Sequence, residues 1–210
     1  MVKVIAVDGP ASVGKSTLAK KISEFYNAPL LSSGRLYRAV ALEIKKNKIK
    51  INDKNKIIGI AKKLKSEDLN SSCLFSSEVD TIASKISSRK YLRNHLIGFQ
   101  RSFPEKYGKN KKFVIVEGRD IGTEIFPMAE FKIFMWADAK IRAKRRYKQI
   151  IKKGQKASLM RVYDKINARD TKDLNRKVAP LKPAVNSVLL DTTYLDIEQA
   201  FNVVKHILKK

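Results

Sequence analysis

The chain has 210 residues, 43% of them hydrophobic, which suffices for one domain with a sizeable core and excludes disorder throughout. No apolar run approaches a membrane span, "MVKVIAVDG" carries no signal-peptide pattern, and the single cysteine, Cys73, excludes an intrachain disulfide or a cysteine-rich zinc site; a soluble cytoplasmic protein with no membrane partner is expected. The net charge of +25 raises nucleic acid as a partner, but the lysines are scattered, as in "KKNKIKINDKNK", and a lysine-rich composition or a site for multiply charged phosphates explains the balance as well.

Residues 3–7 predict a short apolar strand, and 17–26 a helix with Leu18, Ala19, Ile22 and Phe25 on one face. "APLLSSG" reads as a second buried strand ending in a turn, and 35–45 as a helix. Residues 47–77 are polar and irregular, with one helix near 53–64; one or two helices fill 79–101. "KKFVIVEG" and "FKIFMWAD" are strands, with Trp136 expected to pack at the end of the second. A strongly basic helix over 139–153, a polar break at 154–158 and a further helix over 159–168 follow. "NSVLLDT" is the last strand. Asp196 then caps a closing helix, with Gln199 three residues on and Ile197, Ala200, Phe201, Val204, Ile207 and Leu208 on its apolar face. Continuously apolar strands alternating with amphipathic helices predict an α/β fold whose parallel sheet is covered on both faces.

"GPASVGKS" matches G-x-x-x-x-G-K-[ST], and an apolar strand precedes it and a helix follows, as that motif requires. The stretch Gly9, Pro10, Ala11, Ser12, Val13, Gly14, Lys15, Ser16 and Thr17 is therefore the expected ATP-binding loop; the alternative is a glycine-rich turn that binds nothing. Backbone N–H groups would wrap the phosphates at the positive end of the helix. Lys15 would neutralise the β- and γ-phosphates, and the Ser16 hydroxyl would coordinate Mg²⁺. The chain lacks an N-K-x-D guanine-reading tetrapeptide, and "FVIVEG" ends in Glu117 where a motor ATPase has aspartate. A small kinase that passes the γ-phosphoryl group to a neighbouring acceptor remains.

Arginines recur in "SSGRLYR", "ISSRKYLRNHLIGFQR", "EGRDIGT" and the tract from "IRAKRRY" to "NARDTKDLNR". Positioned cations do most of the catalysis of phosphoryl transfer, and the planar arginine fork suits phosphate oxygens. "RAKRRY" is alternatively a solvated helix face. "EGRDIGT" follows a buried strand, where open α/β sheets hold ligands.

With "IAVDGPASVGKST", "VEGRDIGTEIFPMAEFKIFMWAD" and "RDTKDLNRKVAPLKPA", these stretches resemble bacterial-type cytidylate kinases from end to end. The resemblance implies a P-loop kinase with a five-stranded parallel sheet flanked by helices, in one domain over 1–210. A nucleotide-binding insert would span roughly 39–103 and a short lid roughly 152–168. It implies transfer of the γ-phosphoryl group of ATP to CMP or dCMP with Mg²⁺; a monomer with no specific nucleic-acid partner is expected. Ser33, Arg38, Arg119 and Arg176 would hold the CMP phosphate, Arg169 and Asp173 the ribose region, and Ser84, Arg93 and Asp120 the cytosine. Lys15, Arg119, Arg169 and Arg176 would be the catalytic cations. Asp120 has an alternative: pairing with Arg119 or capping a helix. The chain departs from the family pattern twice. Ser32 stands where aspartate is usual, and "KKLKSEDLNSSCLFSSEV" leaves little room for the small antiparallel sheet that members often carry there. A basic nucleic-acid-binding module that uses its P-loop for regulation is the rival, but no basic stripe with exposed aromatics supports it. His95 and His206 are read as surface or satisfied positions, and Cys73 is given no role.

Overall fold

The first strand, β1 (Lys3–Asp8), shows why the strands read as unbroken apolar runs. Val4 and Ala6 point into one core while Ile5 and Val7 point into another, so both faces are covered. The computed structural model describes residues 2–152 and 154–209. The other strands are β2 (Leu30–Ser32), β3 (Phe113–Glu117), β4 (Phe131–Trp136) and β5 (Val188–Asp191). Together they form one parallel five-stranded sheet in the order β2–β3–β1–β4–β5. The register pairs Glu117 with Val7 on one side and Ser32 on the other, which brings Asp8, Ser32 and Glu117 level at the carboxyl edge of the sheet.

On one face, α1 (Lys15–Phe25) and α8 (Ile197–Ile207) set Leu18, Ile22, Phe201 and Val204 against Phe113, Ile115 and Met135. On the other lie α2 (Ser33–Lys46), α3 (Lys54–Lys63), α4 (Ser77–Ile86) and α5 (Lys90–Tyr107), whose Leu36, Val40, Leu92 and Leu96 share a core with Val114 and Val116. The pair α6 (Ala139–Lys152) and α7 (Leu159–Asn175) packs through a small core of Ala143, Val162 and Ile166. The predicted capping box of α8 is present, with Asp196 and Gln199 each accepting from the other's backbone N–H.

Four differences from the sequence reading have physical causes. First, α1 begins at Lys15, because left-handed Gly14 (φ 104°) is its N-cap. Second, α7 runs on to Asn175; its last two turns carry charged residues with no apolar period, and ion pairs to other elements hold them. Third, the polar 64–76 segment, read as irregular, contains two short 3₁₀ turns, Glu67–Asn70 and Ser72–Phe75; in keeping with the short insert, it has no strand among the described residues. Fourth, Trp136 is 49% exposed rather than packed, since it ends β4 beside the outermost strand, where Leu189 is 67% exposed. Lys153, the expected last residue of the basic helix, lies outside the described residues.

Candidate active site

The chain turns from β1 into the phosphate loop through Gly9, whose φ is 148°. A side chain at Gly9 would collide with the Met135 carbonyl oxygen, so glycine alone allows the loop to cross β4. No side chain caps the start of α1, which leaves its first N–H groups free to face an anion. Lys15 is buried and its Nζ donates to the Pro10 carbonyl at 2.7 Å. Burial pushes its ammonium well below the ordinary lysine range; Arg119 adds to this, while Glu117 and Asp8 oppose it.

Three residues that sequence reasoning did not assign shape this loop. Asp8 accepts from the N–H groups of Ile121 and Gly122 at 2.8 and 2.7 Å, tying the turn after β3 to the strand that feeds the loop. Its burial raises the carboxyl to about 6. Arg142 of α6 is buried and donates to the carbonyls of Ala11 at 3.0 Å and Ala137 at 2.8 Å. Asp170 of α7 accepts from Arg142 at 2.5 Å and from the Ala11 N–H at 3.2 Å, so the two helices grip one loop residue from both sides. "RAKRRY" is thus divided. Arg142 and Arg145 turn inward, the latter onto the carbonyls of Thr192 and Leu195, while Lys144 and Arg146 form a solvated face.

Glu117, the buried end of β3, accepts from Ser16 Oγ at 2.9 Å and from Ser32 Oγ at 2.5 Å on the same oxygen. The hydroxyl that replaces the usual aspartate therefore donates to the remaining carboxylate instead of adding a second charge. Ser16 and Glu117 make an all-oxygen donor set, which fits Mg²⁺. Among the described residues no group of three or more His, Cys, Asp or Glu could hold a metal unaided. An ion here needs phosphate oxygens as well.

The residues expected to bind CMP fall into three groups. Asp120 is buried against Arg93, which donates to it, and Arg176, whose NH2 lies 3.5 Å from the other oxygen and has no hydrogen-bond partner. Asp120 thus pairs with Arg93 and not Arg119, and it makes no side-chain cap bond. Burial pushes its carboxyl up, while Arg93 and Arg176 pull it down. Tyr37, from "SGRLYR", is buried beside this group, its ring 5.9 Å from the Arg93 guanidinium, and burial raises its hydroxyl to about 12. In the second group, Arg119 Nε donates to Asp173 Oδ2 at 3.1 Å. In the third, Arg38 and Arg169 meet on the carboxylate of Asp80, another residue missed in the sequence. Ser33 is buried, packed close against Gly118, where an added Cβ would lie 3.2 Å from its own. Ser84 is not joined to Arg93 or Asp120; its hydroxyl accepts from Lys172 at 3.3 Å. Arg93 and Ser84 stand on successive helices separated by the break at 87–89.

This arrangement has counterparts. Among solved structures, the chain superposes on an uncharacterized protein from Eubacterium ventriosum with a TM-score of 0.57 at 14% identity, covering 100% of both chains. A sugar kinase from Janibacter sp. HTCC2649 gives 0.51 at 11% identity, covering 100% of this chain and 95% of that one. These likenesses concern the fold. The sequence relatives go further. A protein named cytidylate kinase from Bartonella tribocorum is 40% identical over 200 residues, spanning 95% of this chain and 91% of its own length. Another of that name, from Thermosipho melanesiensis, is 38% identical over 218 residues, spanning 98% and 94%. The family model described as cytidylate kinase matches residues 5–210, from the strand that feeds the phosphate loop past the last helix. With both halves of the site and nearly the whole chain inside that match, the chain belongs to the cytidylate kinase family.

Proposed function

We propose that this chain transfers the γ-phosphoryl group of ATP to CMP or dCMP, releasing ADP and CDP or dCDP. Family membership supports the nucleotide acceptor. The observation that carries the chemistry is the meeting of the two halves: one oxygen of Glu117 accepts from Ser16 in the donor loop, at 2.9 Å, and from Ser32 beside Ser33 on the acceptor side, at 2.5 Å. Phosphoryl transfer needs little covalent help from a protein, because a phosphate monoester is already a nucleophile above its second pKa of about 6. The protein supplies alignment and positive charge.

In this reading Gly9 to Thr17 cradle the triphosphate and Lys15 balances charge on the transferring group. Ser33, Arg38, Arg119 and Arg176 hold the acceptor phosphate, with Arg169 and Asp173 at the ribose. Ser84, Arg93 and Asp120 read cytosine, which requires Lys172 to release Ser84 and one edge of Asp120 to be shared between Arg93 and the base. Mg²⁺, held by Ser16 with Glu117 behind it, would screen the phosphate oxygens. The 39–103 insert and the 152–168 lid would carry acceptor contacts and close over the phosphates. The protein would act as a soluble cytoplasmic monomer; among the described residues no helix is long and apolar enough to cross a membrane.

A coupled ADP-release assay across CMP, dCMP, UMP and AMP tests the reading. ADP formation with CMP or dCMP at least about ten-fold faster than with the others, and abolished by excess EDTA, is the expected outcome. Equal turnover with all four acceptors, or none with any, would defeat it.

A further inference from the structure

Asp80 of α4 belongs to none of the groups just assigned, yet its carboxylate joins two cations that the proposed function gives to the acceptor nucleotide. Arg169 NH1 donates to both of its oxygens, at 3.0 and 3.3 Å, and Arg38 NH2 donates to the first of them. Arg38 is steadied by the Leu74 carbonyl, which accepts from its NH1 at 3.0 Å. One turn further along α4, Ser84 is engaged from α7 in the same way. Lys172 Nζ donates to its carbonyl at 2.6 Å and to its hydroxyl at 3.3 Å. Asp80 and Ser84 are four apart on one helix and Arg169 and Lys172 three apart on the other, so matching faces clasp each other.

Charge explains the clasp. Burial weakens the Arg38 guanidinium, and Arg169, Arg146 and Arg119 weaken it further, with Asp80 opposing them. Asp80 is the anion that Arg38 and Arg169 share. Burial pushes its carboxyl up, but Arg169 and Arg38 together outweigh that and hold it below the usual range. Its side chain is still 37% exposed, so it can exchange the arginines for water at modest cost. A phosphate monoester carries up to two charges and three acceptor oxygens, which suits the Arg38 guanidinium better than a shared carboxylate does, while Arg169 turns to the ribose beside it.

We propose that Asp80 is an internal stand-in for the acceptor phosphate. It neutralises Arg38 and Arg169 while the acceptor site is empty, gives way when a nucleoside monophosphate arrives, and thereby sets the affinity for the acceptor. This rests on the acceptor reading of Arg38 and Arg169 given above.

Asp80→Asn keeps the shape and removes the charge, and Asp80→Ala removes both; whichever of the two folds carries the test. Binding of CMP and of cytidine, which lacks the phosphate, is measured by calorimetry in wild type and variant. The expected result is a Kd for CMP at least about five-fold lower in the variant, with cytidine within about two-fold of wild type. The empty variant should also melt lower than wild type and gain more from added CMP. CMP binding unchanged or weakened in the variant, or cytidine binding strengthened as much as CMP, would overturn the role of Asp80. Wild-type protein that binds no CMP would overturn the acceptor reading itself, and this inference with it.

Discussion

Lys15 carries its charge in a buried position among Arg119, Asp8 and Glu117, and burial has already weakened its hold on the proton. Glu117 and Asp8 offset that cost in part, and the phosphates of a bound nucleotide would offset it further, so its charge is worth most where charge grows in transfer. Lys15→Ala should lower kcat by about a thousand-fold, read by ADP release with the variant's folding checked by circular dichroism. Asp120 is the second residue on which the proposed function turns. A carboxylate only accepts, so it can take the 4-amino group of cytosine and must oppose the 4-carbonyl of uracil. Asp120→Asn can donate as well, and the ratio of kcat/KM for CMP over UMP should fall at least ten-fold, about 1.4 kcal/mol. An unchanged ratio would leave Asp120 as no more than the partner of Arg93 and Arg176. Asp8 gives a pH signature. Its folded pKa, about 6, lies above the ordinary 3.8, so the folded chain holds its proton more tightly than the unfolded one. That stabilisation is complete below about pH 4 and is lost as pH rises through about 6. The melting temperature of wild type minus that of Asp8→Asn should therefore fall between about pH 4 and about pH 6 and level off above about pH 7.

The helices decide how firmly these residues are held. Arg142 on α6 and Asp170 on α7 form a buried ion pair that also bonds the carbonyl and the N–H of Ala11. Removing one member leaves a buried charge without its partner, so Asp170→Ala should cost about 3 kcal/mol in a denaturant titration and raise the KM for ATP more than that for CMP. A stability loss with both KM values moved alike would mean that the pair supports the fold but not the loop. In the sequence, Asp170 is visible only as the residue after Arg169. Its partner lies 28 positions away, and no local period links the two. The 3.6-residue pattern marks a helix by its apolar face, and the far end of α7 has charge there instead. The same reasoning failed to assign Asp80, which reads as an ordinary residue in the first turn of α4.

At the scale of the whole molecule, the charge of +25 is not spent on ion pairs. The arginines of the site are mostly matched to Asp80, Asp120, Asp170 and Asp173, whereas many lysines lie exposed in loops and on helix faces. A diffuse field of this kind attracts polyanions without reading them. Binding to duplex DNA should be weak, indifferent to base sequence and lost steeply as salt rises from about 50 to about 200 mM, by fluorescence anisotropy. Tight, sequence-selective binding at physiological salt would promote a nucleic-acid role above the kinase reading.

The sequence by itself determined the phosphate loop, the parallel sheet, the closing capped helix and the family resemblance. Each of these is written in neighbouring residues: a glycine spacing, an apolar run, a cap three residues from its partner. Only the tertiary structure decided which charges meet. The parallel register sets Ser32 and Glu117 opposite each other, 85 positions apart in the chain, so that a hydroxyl answers the carboxylate where a second acid would repel it. It also pairs Asp120 with Arg93, and Asp80 with Arg38 and Arg169. An ion pair depends on distance in space, and the chain encodes that distance only through the packing of every element between its partners.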